Sequence, residues 1–317
     1  MDLPFRNRLE TMPPDNTQRT LIGVTNKIFG GNMMNIRKFL MSAALAAFAA
    51  VSHAQPGTQT LVFAVNEGVT YRTGSEVTRQ NYRAITDDLS RLLKAKIRLD
   101  VVGDYATLEK DLNAKAYDIA FIHPSHIAIA PVKRGSYTLA AVSKAHVGYK
   151  ASFLTKMNAQ PKTPEELGKL FTQGVKPVGS PDTNSITAWL IRATLRDAAA
   201  AAKTTAPTLK FTRFQDSIPF MVENGFVDVA GTASEAVVKE WVAGGGKVLT
   251  TSRPVPIKNV IVSNTMSKES LDIVKNYFLE LSESAEGQAK LERISLKQGF
   301  VVFDQAAFVA LGAWLGL

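Results

Sequence analysis

Short apolar runs of strand length alternate with amphipathic runs of helix length along this chain, and the alternation then repeats. That pattern confines it to layered α/β architectures with mostly parallel sheets. In the first round, Leu61 to Val65, Ile97 to Val102, Tyr117 to Ile122 and Leu139 to Val142 read as strands. Between them, residues 79–93 place Tyr82, Ile85, Leu89, Leu92 and Leu93 on one helical face. Asp104 is positioned to cap a short helix, and Ser125 to cap another after Pro124 stops the third strand. The second round has strands at 175–178, 209–214, 227–230 and 248–251. Its helices begin at Thr163-Pro164, Ile186, Ile218 and Ser234. Ile257 to Val262 then returns as a strand, followed by an amphipathic helix over 267–281. The two rounds are joined by extended crossings near 148–155 and 251–258, with no Pro/Gly/Ser linker. The second round therefore reads as an insertion into the first. Lobe one spans 58–150 plus 256–317, lobe two spans 151–255, and a hinge and an interlobe cleft lie between them.

The segment from Met34 to Gly57 carries an export signal. Arg37 and Lys38 precede an apolar run from Phe39 to Val51, and Ser52-His53-Ala54 supplies small residues at the cleavage positions. The run is too short for a membrane span of about 20 residues. Residues 34–54 thus read as a signal peptide cleaved near Ala54, and residues 1–33 as a non-native or disordered extension. The mature protein is expected to begin near Gln55 and to reside in the periplasm. The whole chain carries 37 basic and 28 acidic residues. Loss of residues 1–54 leaves 31 and 25, a charge of +6. No block of like charge concentrates it, which speaks against nucleic acid as a partner.

Catalytic motifs are missing. There is no cysteine, P-loop, G-x-S-x-G elbow, H-E-x-x-H or G-x-G-x-x-G, so no cofactor or metal is expected. His123 and His126 form a H-P-S-H turn without a third ligand nearby, although His126 stands where open α/β sheets bind ligands. Pro181-Asp182-Thr183-Asn184-Ser185 precedes a helix, and such a start offers hydroxyls, free N–H groups and a favourable dipole to an anion. Ordinary capping explains the same residues. An exported two-lobe enzyme would have to rely on Glu235 with Tyr105 or His126, a thin acid–base set.

Several segments resemble the phosphate/phosphite/phosphonate-binding proteins that feed ABC importers. They are Gly103-Asp104-Tyr105-Ala106, Tyr117-Asp118-Ile119-Ala120, Gly148-Tyr149-Lys150-Ala151-Ser152, Thr163 to Gly168, Ser180 to Ser185, and above all Val222 to Ala230. The resemblance covers roughly 60–265. It implies a two-lobe periplasmic-binding-protein-like fold of type II and capture of a small anionic ligand, an oxyanion or organophosphonate. Delivery to an ABC transporter permease in the inner membrane follows, by a protein that is a monomer and not an enzyme. A sensor role in a signalling receptor is the alternative. By position, Thr183, Asn184 and Ser185 take the family's anion-binding role, with Tyr105 and Tyr149 opposite and Glu235 at its acidic cleft position. Gln215 replaces the family's histidine and Ile186 a glycine. Lys258-Asn259 lies where an acid would pair with a ligand ammonium, which argues against an aminoalkylphosphonate.

Overall fold

Val62, Ala64 and their neighbours form a strand because an apolar run this short can be covered on both faces only within a sheet. The computed structural model describes residues 59–68, 74–172 and 176–317; the extension and the export signal lie outside them. The first stretch alternates strand and helix: β1 (Thr60–Asn66), α1 (Ser75–Leu93), β2 (Lys96–Val101), α2 (Tyr105–Asn113), β3 (Ile119–Ile122), α3 (Ser125–Lys133) and β4 (Tyr137–Ser143). The second comprises β5 (Ser152–Thr155), α4 (Pro164–Thr172), β6 (Val178–Ser180), α5 (Ile186–Ala201), β7 (Leu209–Phe211), α6 (Ile218–Glu223), β8 (Val229–Thr232), α7 (Glu235–Ala243) and β9 (Lys247–Thr251). The chain closes with β10 (Asn259–Ser263), α8 (Lys268–Glu280), α9 (Ala285–Arg293), β11 (Phe300–Val301) and α10 (Gln305–Leu315).

Two sheets result. One is ordered β11-β4-β10-β3-β1-β2 and the other β7-β6-β8-β5-β9. In the first, β1 to β4 share a direction and β10 and β11 oppose it; in the second, only β5 is reversed. The expectation of mostly parallel sheets thus holds for strand direction but not for neighbouring pairs. β10 sits between β3 and β4, and β5 between β8 and β9, so each brings two antiparallel pairings. Both are the strands that follow a crossing. The crossings themselves pair: the Val255 amide donates to the Tyr149 carbonyl at 2.8 Å, and the Ser252 amide to the Ala151 carbonyl at 2.8 Å.

Local chemistry sets most helix starts. Asp104 accepts from the Thr107 amide at 2.8 Å. Thr163 accepts from the Glu166 amide at 3.1 Å, while Glu166 returns to the Lys162 amide rather than to Thr163. Ser125 is not the cap of α3. Pro124 takes that position, and the Ser125 hydroxyl instead receives the Asn259 side-chain amide at 3.1 Å. The strand expected over 209–214 ends at Phe211, because Gln215 to Ser217 curl into a 3-10 turn.

One apolar cluster joins Ala64 and Ile122 of the first sheet to Phe153, Leu190 and Ile191 of the second half, through Phe308 and Trp314 of α10. A second packs Phe63, Tyr82, Phe121, Phe278 and Phe300 largely edge-on behind the first sheet. α4 lies against α5 through Gly168, where a Cβ would stand 2.2 Å from the Ala198 carbonyl oxygen. Gly168→Ala is therefore expected to lower stability by about 1–3 kcal/mol, as overpacking against fixed backbone does. Urea unfolding checks this, and an unchanged midpoint contradicts the close approach. Among the described residues, no helix is long and apolar enough to cross a membrane.

Candidate ligand-binding site

The loop between β6 and α5 is folded by its own side chains. Asp182 Oδ1 accepts from the Asn184 amide at 2.8 Å, and the Asp182 carbonyl accepts the Ser185 hydroxyl at 2.7 Å. Ser185 Oγ in turn receives the Ala188 amide at 3.2 Å, which makes Ser185 the N-cap of α5. Its proton and a lone pair are both occupied within the loop. The amides of Ile186 and Thr187, next along the helix, have no partner among the described residues. Together with the dipole of a sixteen-residue helix, they leave positive potential at this end.

Thr183 behaves differently from Ser185. Its hydroxyl oxygen accepts from Arg192 Nη2 at 2.7 Å and its carbonyl from Arg192 Nη1 at 3.0 Å. The Arg192 guanidinium lies over the rings of Trp189 and Phe211, at 5.5 and 5.4 Å.

A second group converges on Tyr149. Gln215 Oε1 accepts the Ala233 amide at 2.6 Å and the Thr232 hydroxyl at 3.0 Å, so its Nε2 faces the Tyr149 hydroxyl at 3.3 Å. The same hydroxyl lies 2.9 Å from Thr187 Oγ1. Thr187 is fully buried and stands in the first turn of α5. Tyr149, the residue expected opposite the start of α5, stands on the crossing, where its hydroxyl meets Thr187 of α5 and the Gln215 side-chain amide.

The first sheet contributes rings. Tyr105 opens α2 and meets the His126 ring edge-on at 6.0 Å; His126 lies against Trp189 of α5 at 5.8 Å. Burial pushes the His126 pKa down to about 3, with His123 adding to the effect, so the ring is neutral at ordinary pH. Its Nδ1 is buried without a hydrogen-bond partner, as is Asn259 Oδ1. Burial likewise takes His123 down to about 4.

The structure thus brings together Tyr149 and Gln215, with Thr187 as the residue sequence reasoning missed. Through Trp189 it also joins Tyr105 and His126 to the helix that starts after Thr183, Asn184 and Ser185. Glu235 stays apart: it is exposed at the start of α7, and its side chain makes no hydrogen bond or ion pair with the described residues. Arg192 and Trp189 were also missed, because neither a contact from the second turn of a helix back to the preceding loop, as Arg192 makes, nor a ring contact across to α3, as Trp189 makes, has a sequence spacing of its own. Shallow cavities elsewhere lie at the end of β2 and between α1 and α9, away from these residues. Among the described residues, no group of His, Asp or Glu has the makings of a metal site.

A family model described as ABC transporter, phosphonate, periplasmic substrate-binding protein matches residues 68–308. Among solved structures, a binding protein component of an ABC phosphonate transporter from Pseudomonas aeruginosa is 17% identical, with a TM-score of 0.51 over 81% of this chain and 85% of that one. A Xanthomonas citri protein bound to ATP reaches a TM-score of 0.60 at 13% identity, over 81% and 97%. PhnD1 from Prochlorococcus marinus, in complex with methylphosphonate, reaches 0.54 at 12% identity, over 81% and 97%. No curated protein matches the chain. At such identities the solved structures bear on the fold, the two-lobe arrangement of type II periplasmic binding proteins. The family model spans well over half of the sequence: the chain belongs to the periplasmic substrate-binding proteins of ABC phosphonate transporters.

Proposed function

We propose that this chain captures a small oxyanion or organophosphonate between its two lobes, with the anionic group seated on the start of α5. The observation that carries this reading is the set of donors gathered there: the amides of Ile186 and Thr187, which have no partner among the described residues, the Thr183 hydroxyl, and the Tyr149 hydroxyl 2.9 Å from Thr187 Oγ1. His126 supports it, since a neutral, buried ring with an unpartnered nitrogen packs on the same helix through Trp189. The lobes are 58–150 plus 256–317 and 151–255, hinged at the paired crossings. We place Asn184 and Gln215 at the site, Gln215 as the group that holds Tyr149. Tyr105 supports His126, and Glu235 is the least connected member of the set. The bound complex serves an ABC transporter as a monomer, without catalysis and without nucleic acid.

A thermal-shift and calorimetric screen of the mature protein against phosphate, phosphite, methylphosphonate, alkylsulfonates and amino acids tests the assignment. Phosphorus oxyanions or phosphonates are expected to raise the melting temperature and amino acids to leave it unchanged. A screen in which no tetrahedral oxyanion binds sinks the reading. Export is checked separately: the protein recovered from the periplasm is expected to begin near Gln55. Retention of Met1 in that fraction contradicts cleavage near Ala54.

A further inference from the structure

We propose that Arg192 is a positioning residue of the site, acting on the ligand through the Thr183 hydroxyl rather than by direct contact. The inference rests on the reading of the α5 start as an anion site. A guanidinium only donates. With Arg192 Nη2 at 2.7 Å filling an acceptor position on Thr183 Oγ1, the hydroxyl proton has to point elsewhere, and no described residue accepts it. Thr183 is exposed in the loop that leads into α5, so that proton is presented outward, polarised by the cation behind it. The second fork, Nη1 to the Thr183 carbonyl at 3.0 Å, fixes the backbone that carries the hydroxyl.

The arginine is itself held. Trp189 and Phe211 lie against the guanidinium at 5.5 and 5.4 Å, which restricts a side chain that otherwise samples many rotamers. Trp189 also meets the His126 ring at 5.8 Å, and His126 belongs to α3 beside the first sheet. Both rings that hold Arg192 belong to the second half, and His126 of the first meets one of them, Trp189. Ser185, two residues on, lacks any such partner, because its proton is bonded to the Asp182 carbonyl.

A double-mutant cycle on affinity tests this, with methylphosphonate, phosphite and phosphate as probes and the full mature protein throughout. Arg192→Gln is expected to weaken binding by about 10-fold or more when Thr183 is present. In a Thr183→Val background the same change is expected to alter affinity by less than about 2-fold. Arg192→Lys keeps the charge and loses the planar fork; it is expected to show the same dependence on background, and it stands in if the glutamine variant does not fold. A loss of equal size in both backgrounds overturns the inference and leaves the anion site intact, since Arg192 then acts directly or through the fold. If the wild type binds none of the three probes, the site reading fails and the inference falls with it.

Discussion

Acidification from about pH 7 to about pH 5 is expected to remove about 4 kcal/mol of folding stability, about 2 kcal/mol from each of two histidines. Burial holds His123 and His126 at about 4 and about 3 in the folded protein, against an ordinary value of 6.5. The sign follows from proton binding. Below 6.5 the unfolded chain takes up protons on these rings while the folded protein does not, so stability is full above 6.5 and falls as pH drops towards the folded values. His146 is depressed by burial too and adds in the same direction. Asp88 acts in a separate, lower window. Burial alone would raise its pKa, but hydrogen bonds from Lys290 and Tyr277 outweigh that and hold it below the ordinary carboxylate range. Its contribution is present above the unfolded carboxylate value and is lost only as pH falls through the lower folded one. Urea unfolding at the two pH values measures the first effect. His126→Phe keeps a ring between Tyr105 and Trp189 and is expected to remove about half of the drop. Stability that stays flat between pH 7 and pH 5 contradicts neutral burial of these rings.

Strand and helix placement was legible in this sequence because short apolar runs and capping residues are local signals. Asp104 caps where its sequence neighbourhood says it does, and Thr163 starts α4. Ser125 was misread because its alternative partner, Asn259, is 134 residues away and joins it only through the β3–β10 pairing. Distance explains the site in the same way. The hydroxyls at 183–185 are recognisable as a helix start, but their roles are not. Which proton is bonded internally depends on Arg192 and on the Asp182 carbonyl, and only the folded loop reveals that. Thr187 carries no motif, yet it stands in the first turn of α5 against Tyr149 because the crossing passes there. The C-terminal stretch past Leu281 lies beyond the repeated alternation of strand and helix. In the fold it supplies α10, whose Trp314 donates to Asp197 at 2.8 Å and lies under Arg253 at 5.3 Å.

Tyr149→Phe is expected to reduce ligand affinity by about 10- to 150-fold, the range that follows from losing about 1.5–3 kcal/mol of hydrogen bonding to a charged group. The tyrosine oxygen has a fixed role. Gln215 is locked by the Ala233 amide and the Thr232 hydroxyl, so its Nε2 is a donor and the Tyr149 oxygen its acceptor. The same hydroxyl lies 2.9 Å from Thr187 Oγ1, where either group can donate. Phenylalanine preserves the ring and its place on the crossing, but it leaves the Gln215 donor and Thr187 without that partner. The loss is therefore expected in affinity rather than in fold. Ser185→Ala provides the contrast. Both roles of its hydroxyl lie within the loop, so removing it is expected to cost about 1 kcal/mol of stability, as loss of an N-cap does, and to change affinity much less. Calorimetric titration of both variants with the tightest phosphonate or oxyanion from the screen, alongside their melting curves, separates the two roles. If Ser185→Ala loses affinity while Tyr149→Phe binds like the wild type, the donors are reversed and the ligand sits against the cap rather than against the Gln215–Tyr149–Thr187 chain.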